Sequence, residues 1–413
     1  MTSRKTRIAV INTHPVQYFA PLYAYLSAQP DIDIHALYLS DFSLRGATDK
    51  GFGEVVKWDV DLLSGYAHRF VGRHWKTREP FGFRASFVPE VWGEVRRGEY
   101  DAVWINGHVA SSNFVAMAAA KSRGIPVLMR CETHLGLKRT PLKSALRRPL
   151  LSQLYRQIDV CLAIGTANRE FYRAMGVPEH KICLVPYSVD NARFTRDARL
   201  APDERAAVRQ RYGISPTRPA ILYVSKLQRR KHPDDLIRAA RMLAGEGLAF
   251  DLVIAGNGEM LPELKEMAAR EGPPHVVFPG FINQLDMPKL LGACDVFVLP
   301  AEDEPWGLIV NEAMCGGLPI VVAEEIGCVA DLLHEGRNGF SFRAQDVFGL
   351  ANALRKLIAD PQLRQSMARN SLEIIGDWGY ERCLTGIRAA LAQAGAPRRG
   401  VERKPSPPPN PSI

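Results

Sequence analysis

The sequence predicts an α/β protein built from two doubly wound, Rossmann-like parallel sheets facing a central cleft. Three observations lead there. Short apolar runs alternate with helix-patterned segments along most of the chain, the rhythm that builds right-handed βαβ units. The rhythm breaks once, over the charged and Pro-punctuated stretch 190–218, and then restarts. The length of 413 residues also exceeds the roughly 250–300 at which a single core stops growing.

In the first half, Arg7–Asn12 (RIAVIN) is a short apolar run of the kind buried in a parallel sheet. A polar loop, Asn12 to Tyr18, leads from it to a helix carrying Leu22, Tyr25 and Leu26. Further strands fit Ile32–Tyr38, Ala102–Ile105, Val127–Arg130, Val160–Ile164 and Ile182–Val185, with helices over Asn113–Arg123 and Thr166–Met175. Residues 45–100 lack clear periodicity and read as an insertion or long loop. The expected first domain is therefore 1–189, followed by a 190–218 linker holding a short helix.

In the second half, strands fit Ala220–Val224, Phe250–Ala255, Val276–Phe278, Val296–Leu299 and Pro319–Val322. Helices fit Pro233–Leu243, Met260–Glu271, Pro288–Cys294, Leu308–Met314, Val347–Ala359 and Gln362–Ile375. This defines a second domain over 219–376, a closing helix over 377–394, and a Pro-rich basic tail over 395–413 that should be disordered.

Composition narrows the function. No run reaches the ~18–20 apolar residues of a membrane span, and the N-terminus passes straight into a strand without a signal-peptide core, so a cytoplasmic location is expected. The seven cysteines have neither CxxC nor metal-ligand spacing. A net charge of +9 favours anionic partners, although no nucleic-acid-binding motif accompanies it. The segment Lys138–Arg156 places Leu142, Leu146, Leu150 and Leu154 at four-residue spacing among Lys138, Arg139, Lys143, Arg147 and Arg148. The preferred reading is a packed helix with a solvated basic face; the other is peripheral contact with an anionic membrane at the inner face of the cell.

The chemistry-bearing residues of the second half fall where strands end and helices begin, the ligand-binding edge of a doubly wound sheet. Ser225-Lys226-Leu227 follows the first strand, with Lys231 five positions after Lys226, and paired lysines suit a diphosphate. Gly256-Asn257-Gly258 follows the second strand and permits close backbone approach, while Phe281 follows the third. The fourth leads through Glu302-Asp303-Glu304 into a helix starting near Gly307 that carries Glu312. A helix N-terminus favours anions, and a carboxylate can accept from paired sugar hydroxyls. Each feature alone also has a bland reading as a basic loop, a turn or helix-end decoration.

Taken in order, these elements resemble the retaining glycosyltransferases of the GT-B fold, glycosyltransferase family four. The loop with Lys226 and Lys231, the G-x-G turn, the E-x7-E pair Glu304 and Glu312, and Gly316-Gly317-Leu318-Pro319 match over about residues 219–343. The resemblance implies a nucleotide-diphosphate sugar as donor substrate, a glycan or lipid-linked acceptor, and no cofactor. It implies that Glu312 binds the ribose, that Glu304 holds the donor sugar, and that backbone N–H groups of Trp306, Gly307 and Leu308 meet the diphosphate and sugar. Lys226 and Lys231 would neutralise the leaving group in place of a metal. Asp31-x-Asp33 and Asp59-x-Asp61 fit a metal-binding spelling but lie in the wrong half and read as polar strand edges.

The chain departs from the family pattern at several points. Lys226 stands where the family has Arg, and Ser225 and His232 stand where it has glycines. Glu132 falls nearest to the position of a family histidine, with His134 two residues on; either would touch the donor sugar or the acceptor hydroxyl. His14, Gln17 and His108 are acceptor-side candidates. A nucleotide-sugar epimerase of the same architecture and a non-catalytic nucleotide-sugar-binding protein are the rival readings.

Overall fold

The structure is a computed structural model that describes residues 4–396, apart from 50, 52, 77, 78, 80, 139 and 140. The tail expected to be disordered therefore lies, from residue 397 on, outside the described residues, as does Arg139.

The chain order of strands is β1 (Thr6–Asn12), β2 (Ile32–Tyr38), β3 (Ala47–Asp49), β4 (Glu54–Val56), β5 (Ala67–Phe70), β6 (Ala102–Asn106), β7 (Val127–Arg130), β8 (Val160–Ala163) and β9 (Ile182–Leu184) in the first half. All but β3 and β4 join one parallel sheet in the order β5-β2-β1-β6-β7-β8-β9. The second half contributes β10 (Ala220–Val224), β11 (Asp251–Ala255), β12 (Val276–Gly280), β13 (Val296–Leu299), β14 (Ile320–Ala323) and β15 (Gly339–Phe342). They form a second parallel sheet ordered β12-β11-β10-β13-β14-β15. Each sheet reverses its strand order once, between β1 and β6 and between β10 and β13, and ligand crevices open beyond the strand ends at such points.

Burial follows the apolar runs. Val10, Leu128, Leu222, Val253 and Val298 are fully buried, because a parallel sheet covered on both faces leaves no strand position for water. One face of the first sheet shares a continuous apolar core with the second domain. An aromatic chain makes the join: Phe19 stacks on Tyr187 (5.9 Å between ring centres), Tyr187 lies 6.4 Å from Trp306, and Trp306 lies 5.8 Å from Trp378.

Four stretches revise or sharpen the sequence reading. Residues 45–100 hold an antiparallel hairpin of β3 and β4, the edge strand β5 and the helix Glu90–Arg97. Their apolar residues are too few to show a period because β5 lies at an edge and is largely exposed. The expected linker forms two helices, Asn191–Ala198 and Pro202–Arg211, anchored to the second domain by Arg205 and Arg209 on Asp295. The closing helix Tyr380–Gln393 returns to the first domain, where Gly386 lies so close to the Leu184 carbonyl that a Cβ would sit 2.0 Å from it. In the basic helix Pro141–Arg156 one member of the expected leucine stripe, Leu154, packs inward beside Leu151 and buried Tyr155, while another, Leu150, is 73% exposed. The side chains of Leu142, Lys143 and Leu146 lie outside the described residues.

Candidate active site

The principal cavity, about 370 Å³, opens beyond the ends of β10 and β13, at the order reversal of the second sheet. Val224, Ser225, Lys226 and Lys231 line it from the β10 loop, Gly256 from the β11 loop, and Phe281, Ile282 and Gln284 from the β12 loop. Glu304 through Ile309 and Glu312 line it from the β13 loop and the helix Leu308–Cys315. The first domain contributes Tyr18, Trp58, Glu132 and Tyr187.

The β10 and β13 loops are tied together. The Lys231 ammonium contacts the Glu304 carboxylate directly, and Arg230 stands 3.8 Å from the same oxygen. Backbone bonds join Glu302 N–H to the Arg230 carbonyl, and Arg230 donates to the Asp303 carbonyl. Burial first, then the like charges of Arg230 and Lys226, push the Lys231 pKa down to about 7, with Asp303 opposing. Its proton is held best when an anion faces it, and Glu304 is that anion here. His232, at a family glycine position, adopts the left-handed φ of 47° that glycine favours. Its ring sits 3.3 Å from the Asp235 carboxylate and 3.5 Å from that of Glu302, and the bond to Asp235 raises its pKa.

Glu312 has a different setting. It is 1% exposed, and burial raises its pKa to about 7 against hydrogen bonds and charge that favour the anion. Gln284 Nε2 donates to Glu312 Oε1 at 3.4 Å, and the Tyr18 hydroxyl donates to Glu312 from the first domain. Arg193, from the first linker helix, donates to both the carbonyl and the side-chain oxygen of Gln284 at 2.9 and 3.0 Å.

The helix bearing Glu312 starts after Gly307, whose φ is a left-handed 89°, and Gly307, Leu308 and Ile309 at this N-terminus line the cavity. The Trp306 side chain, by contrast, is 2% exposed and anchors the interdomain join. Its Nε1 donates to Asn311 Oδ1 at 2.9 Å, and Asn311 donates to the Tyr187 carbonyl at 3.0 Å.

Not every expected residue reaches the cavity. Gly256 does, but Gly258 lies outside its lining: a Cβ there would sit 2.5 Å from the Leu227 carbonyl, so this glycine serves loop packing. His134 is buried and braces the two domains. Its Nε2 lies 3.2 Å from the Glu304 carbonyl and its Nδ1 accepts from Gly136 N–H at 3.2 Å, and it is not among the residues lining the cavity. His14 packs against Phe42 and Phe81 and is also outside that lining. Gln17 acts one step back, bonding to the Tyr18 hydroxyl. The aspartates with a metal-binding spelling have other tasks: Asp31 forms a two-pronged ion pair with Arg388, Asp33 pairs with Arg7 and His35, and Asp61 accepts from Leu63 and Ser64 N–H groups.

Glu132 does line the cavity and also lines a second one of about 350 Å³ in the first domain. The second cavity lies beyond β6 and β7 and includes His108, Arg130 and Arg147. Arg147 donates to His108 Nε2 at 3.1 Å, and His108 Nδ1 meets the Tyr155 hydroxyl at 3.3 Å. Glu132 also bonds to the Tyr187 hydroxyl, which places a carboxylate at the junction of two spaces large enough for sugar-sized groups. Sequence reasoning missed Tyr18, Trp58, Tyr187 and Gln284, for which strand-end position was the only available signal.

Residues 18–188 match the family described as Glycosyl transferase 4-like domain, and residues 204–373 match Glycosyl transferases group 1. The chain belongs to the GT-B glycosyltransferases of family-four type. It is 27% identical over 249 residues to the alpha-D-kanosaminyltransferase of Streptomyces kanamyceticus, covering 59% of this chain and 60% of that protein. It is 29% identical over 315 residues to the D-inositol 3-phosphate glycosyltransferase of Streptomyces avermitilis, covering 71% and 65%. The chain thus spans less than two thirds of the length of either relative. The structure of Anabaena HepE in complex with UDP superposes with a TM-score of 0.72 at 19% identity, covering 94% of this chain and 100% of that one. Among the described residues no helix is long and apolar enough to cross a membrane.

Proposed function

We propose that this family member is a retaining glycosyltransferase that moves a sugar from a nucleotide-diphosphate donor to a glycan or lipid-linked acceptor, in the building of a cell-surface polysaccharide or glycoconjugate. The observation carrying this reading is the convergence of Lys226, Lys231, the N-terminus of the Leu308–Cys315 helix and Glu312 on one cavity at the order reversal of the second sheet. The diphosphate faces the two lysines and the helix N-terminus, and the ribose hydroxyls donate to Glu312.

In this reading the Lys231–Glu304 pair is a resting arrangement. An incoming diphosphate competes for Lys231 and frees the Glu304 carboxylate for hydroxyls of the donor sugar. As the bond from the anomeric carbon to the phosphate oxygen breaks, negative charge grows on that oxygen. Fixed cations and helix N–H groups stabilise it more in the transition state than in the ground state. Glu132 stands where the sugar meets the acceptor, and the cavity with His108 and Arg147 receives the acceptor.

Incubation with UDP- and GDP-sugars and a pool of glycan and lipid-linked acceptors tests the reading. Transfer that persists in EDTA is expected. A strict metal requirement would contradict the role given to the lysines, and donor epimerisation without acceptor would favour an isomerase.

A further inference from the structure

We propose that Trp58, carried on a strap from the first domain, closes the nucleobase end of the donor cavity, so that donor affinity depends on contact between the domains. The inference rests on reading that cavity as a sugar-nucleotide site and adds a determinant to it.

The layout of the second sheet fixes which end takes the base. Its loops follow the strand order β12, β11, β10, β13, and neighbouring strands lie ~4.8 Å apart. The β10 and β13 loops hold the cations and the helix N-terminus, the place for the diphosphate. The β12 loop lies two strands, or about 10 Å, from β10. Glu312, the proposed ribose partner, lies between these loops in bonding terms because it accepts from Gln284 of the β12 loop. A base one ribose beyond the diphosphate therefore comes to Phe281 and Ile282, where the wall is apolar and aromatic.

Trp58 faces that place from the other domain. It lines the cavity, and its ring lies 6.0 Å from that of Phe281 at 57°. The flanking residues tie it down. The Lys57 carbonyl accepts from Asn283 Nδ2 at 2.8 Å, and the Asp59 carboxylate accepts from Leu285 N–H at 3.2 and 3.3 Å. The strap therefore crosses the cleft between β4 and β5 and is held by three hydrogen-bond contacts and one ring contact. Those bonds are exposed, so they break at small cost and let the strap lift when a nucleotide enters or leaves.

Calorimetric titration of the full chain with UDP, GDP and inorganic pyrophosphate tests this, using wild type, Trp58→Ala, Trp58→Phe and Asp59→Ala. Trp58→Ala should weaken the nucleoside diphosphate that wild type prefers by about tenfold or more, the scale of one base–aromatic stack. Trp58→Phe should recover most of that loss, and pyrophosphate, which has no base, should bind both variants as it binds wild type. Asp59→Ala should weaken nucleotide affinity by less than Trp58→Ala does while leaving the preference for base unchanged. A Trp58→Ala affinity within twofold of a wild type that does bind nucleotide would overturn the proposal. So would an equal loss for pyrophosphate, which would mark Trp58 as a general packing residue. Failure of wild type to bind either nucleotide would instead overturn the reading of the cavity itself.

Discussion

The second-domain wall of the cleft and the first-domain wall facing it line one cavity but are assembled differently. Ser225, Gly256, Phe281 and Glu304 come from the ends of four strands of one sheet, each close in sequence to the strand that positions it. Glu132 and Tyr187 follow strands β7 and β9 of the first sheet and bond to each other within that domain. Tyr18 and Trp58 come from longer loops, and all four reach the cavity because the two domains are apposed. The second-domain wall supplies two lysines, two carboxylates and a helix N-terminus; the first-domain wall supplies hydroxyls, an indole and one carboxylate. Such a division suits a reaction in which charge development is common to all donors while specificity is set by what the other domain brings.

The largest test of this contrast is Lys231. Lys231→Met should lower kcat/KM for transfer by about 100- to 1,000-fold, the scale of losing one fixed transition-state charge. It should also destabilise the fold, because it leaves Glu304, 16% exposed, with only the more distant Arg230 as a cationic partner. Adding Glu304→Gln should restore stability in a chemical denaturation series but not the rate. If the double variant recovers activity, the pair is structural and the second-domain wall is not the seat of catalysis.

Next in size is the first-domain carboxylate. Glu132→Gln should reduce kcat by roughly tenfold to a hundredfold while nucleoside diphosphate affinity stays within twofold, because in the proposed reading Glu132 meets the sugar and acceptor rather than the phosphates. A matching loss of nucleotide affinity would erase the division between the walls.

A pH profile sharpens the comparison within the second-domain wall. In the proposed reading ribose hydroxyls donate to ionised Glu312, so protonation of a group raised to about 7 would weaken binding as pH falls. In the same reading Lys231 binds phosphate as an ammonium, and with its pKa lowered to about 7 in the free protein it loses charge as pH rises. Nucleoside diphosphate affinity should therefore peak near neutrality. Glu312→Gln should flatten the acid limb and Lys231→Arg the alkaline limb, as read by titration between pH 5.5 and 9.

The smallest expected effect concerns stability. With its folded pKa raised above the unfolded value, Glu312 holds more proton in the folded state. Its contribution is present at low pH and is lost as pH rises from about 4.5 to about 7. Glu312→Gln should therefore stabilise the fold more at pH 8 than at pH 5, by an amount on the order of 2 kcal/mol, read from chemical denaturation at the two pH values. A gain equal at both pH values would show that ionisation of Glu312 is not what strains the buried wall.

The reading of individual residues followed the same divide between walls. Lys226, Lys231, Gly256, Glu304 and Glu312 reach the cavity as expected because a strand end carries its loop with it. Gly258 and His134 do not. Their spacing was compatible with a site, but Gly258 is taken up by the Leu227 backbone and His134 by the Glu304 carbonyl. Nothing local in the sequence distinguishes a glycine that approaches a ligand from one that approaches its own neighbouring loop.

By itself, the sequence determined the two parallel sheets, the placement of their chemistry at strand ends and the family, because apolar period and motif spacing are local properties of the chain. The tertiary structure alone decided that Trp306 is an interdomain anchor, that the supposed linker is two docked helices, and that Tyr18 and Trp58 face the second domain. Each of those depends on contacts between residues far apart in the chain, and their energies come from burial and pairing that no single segment contains.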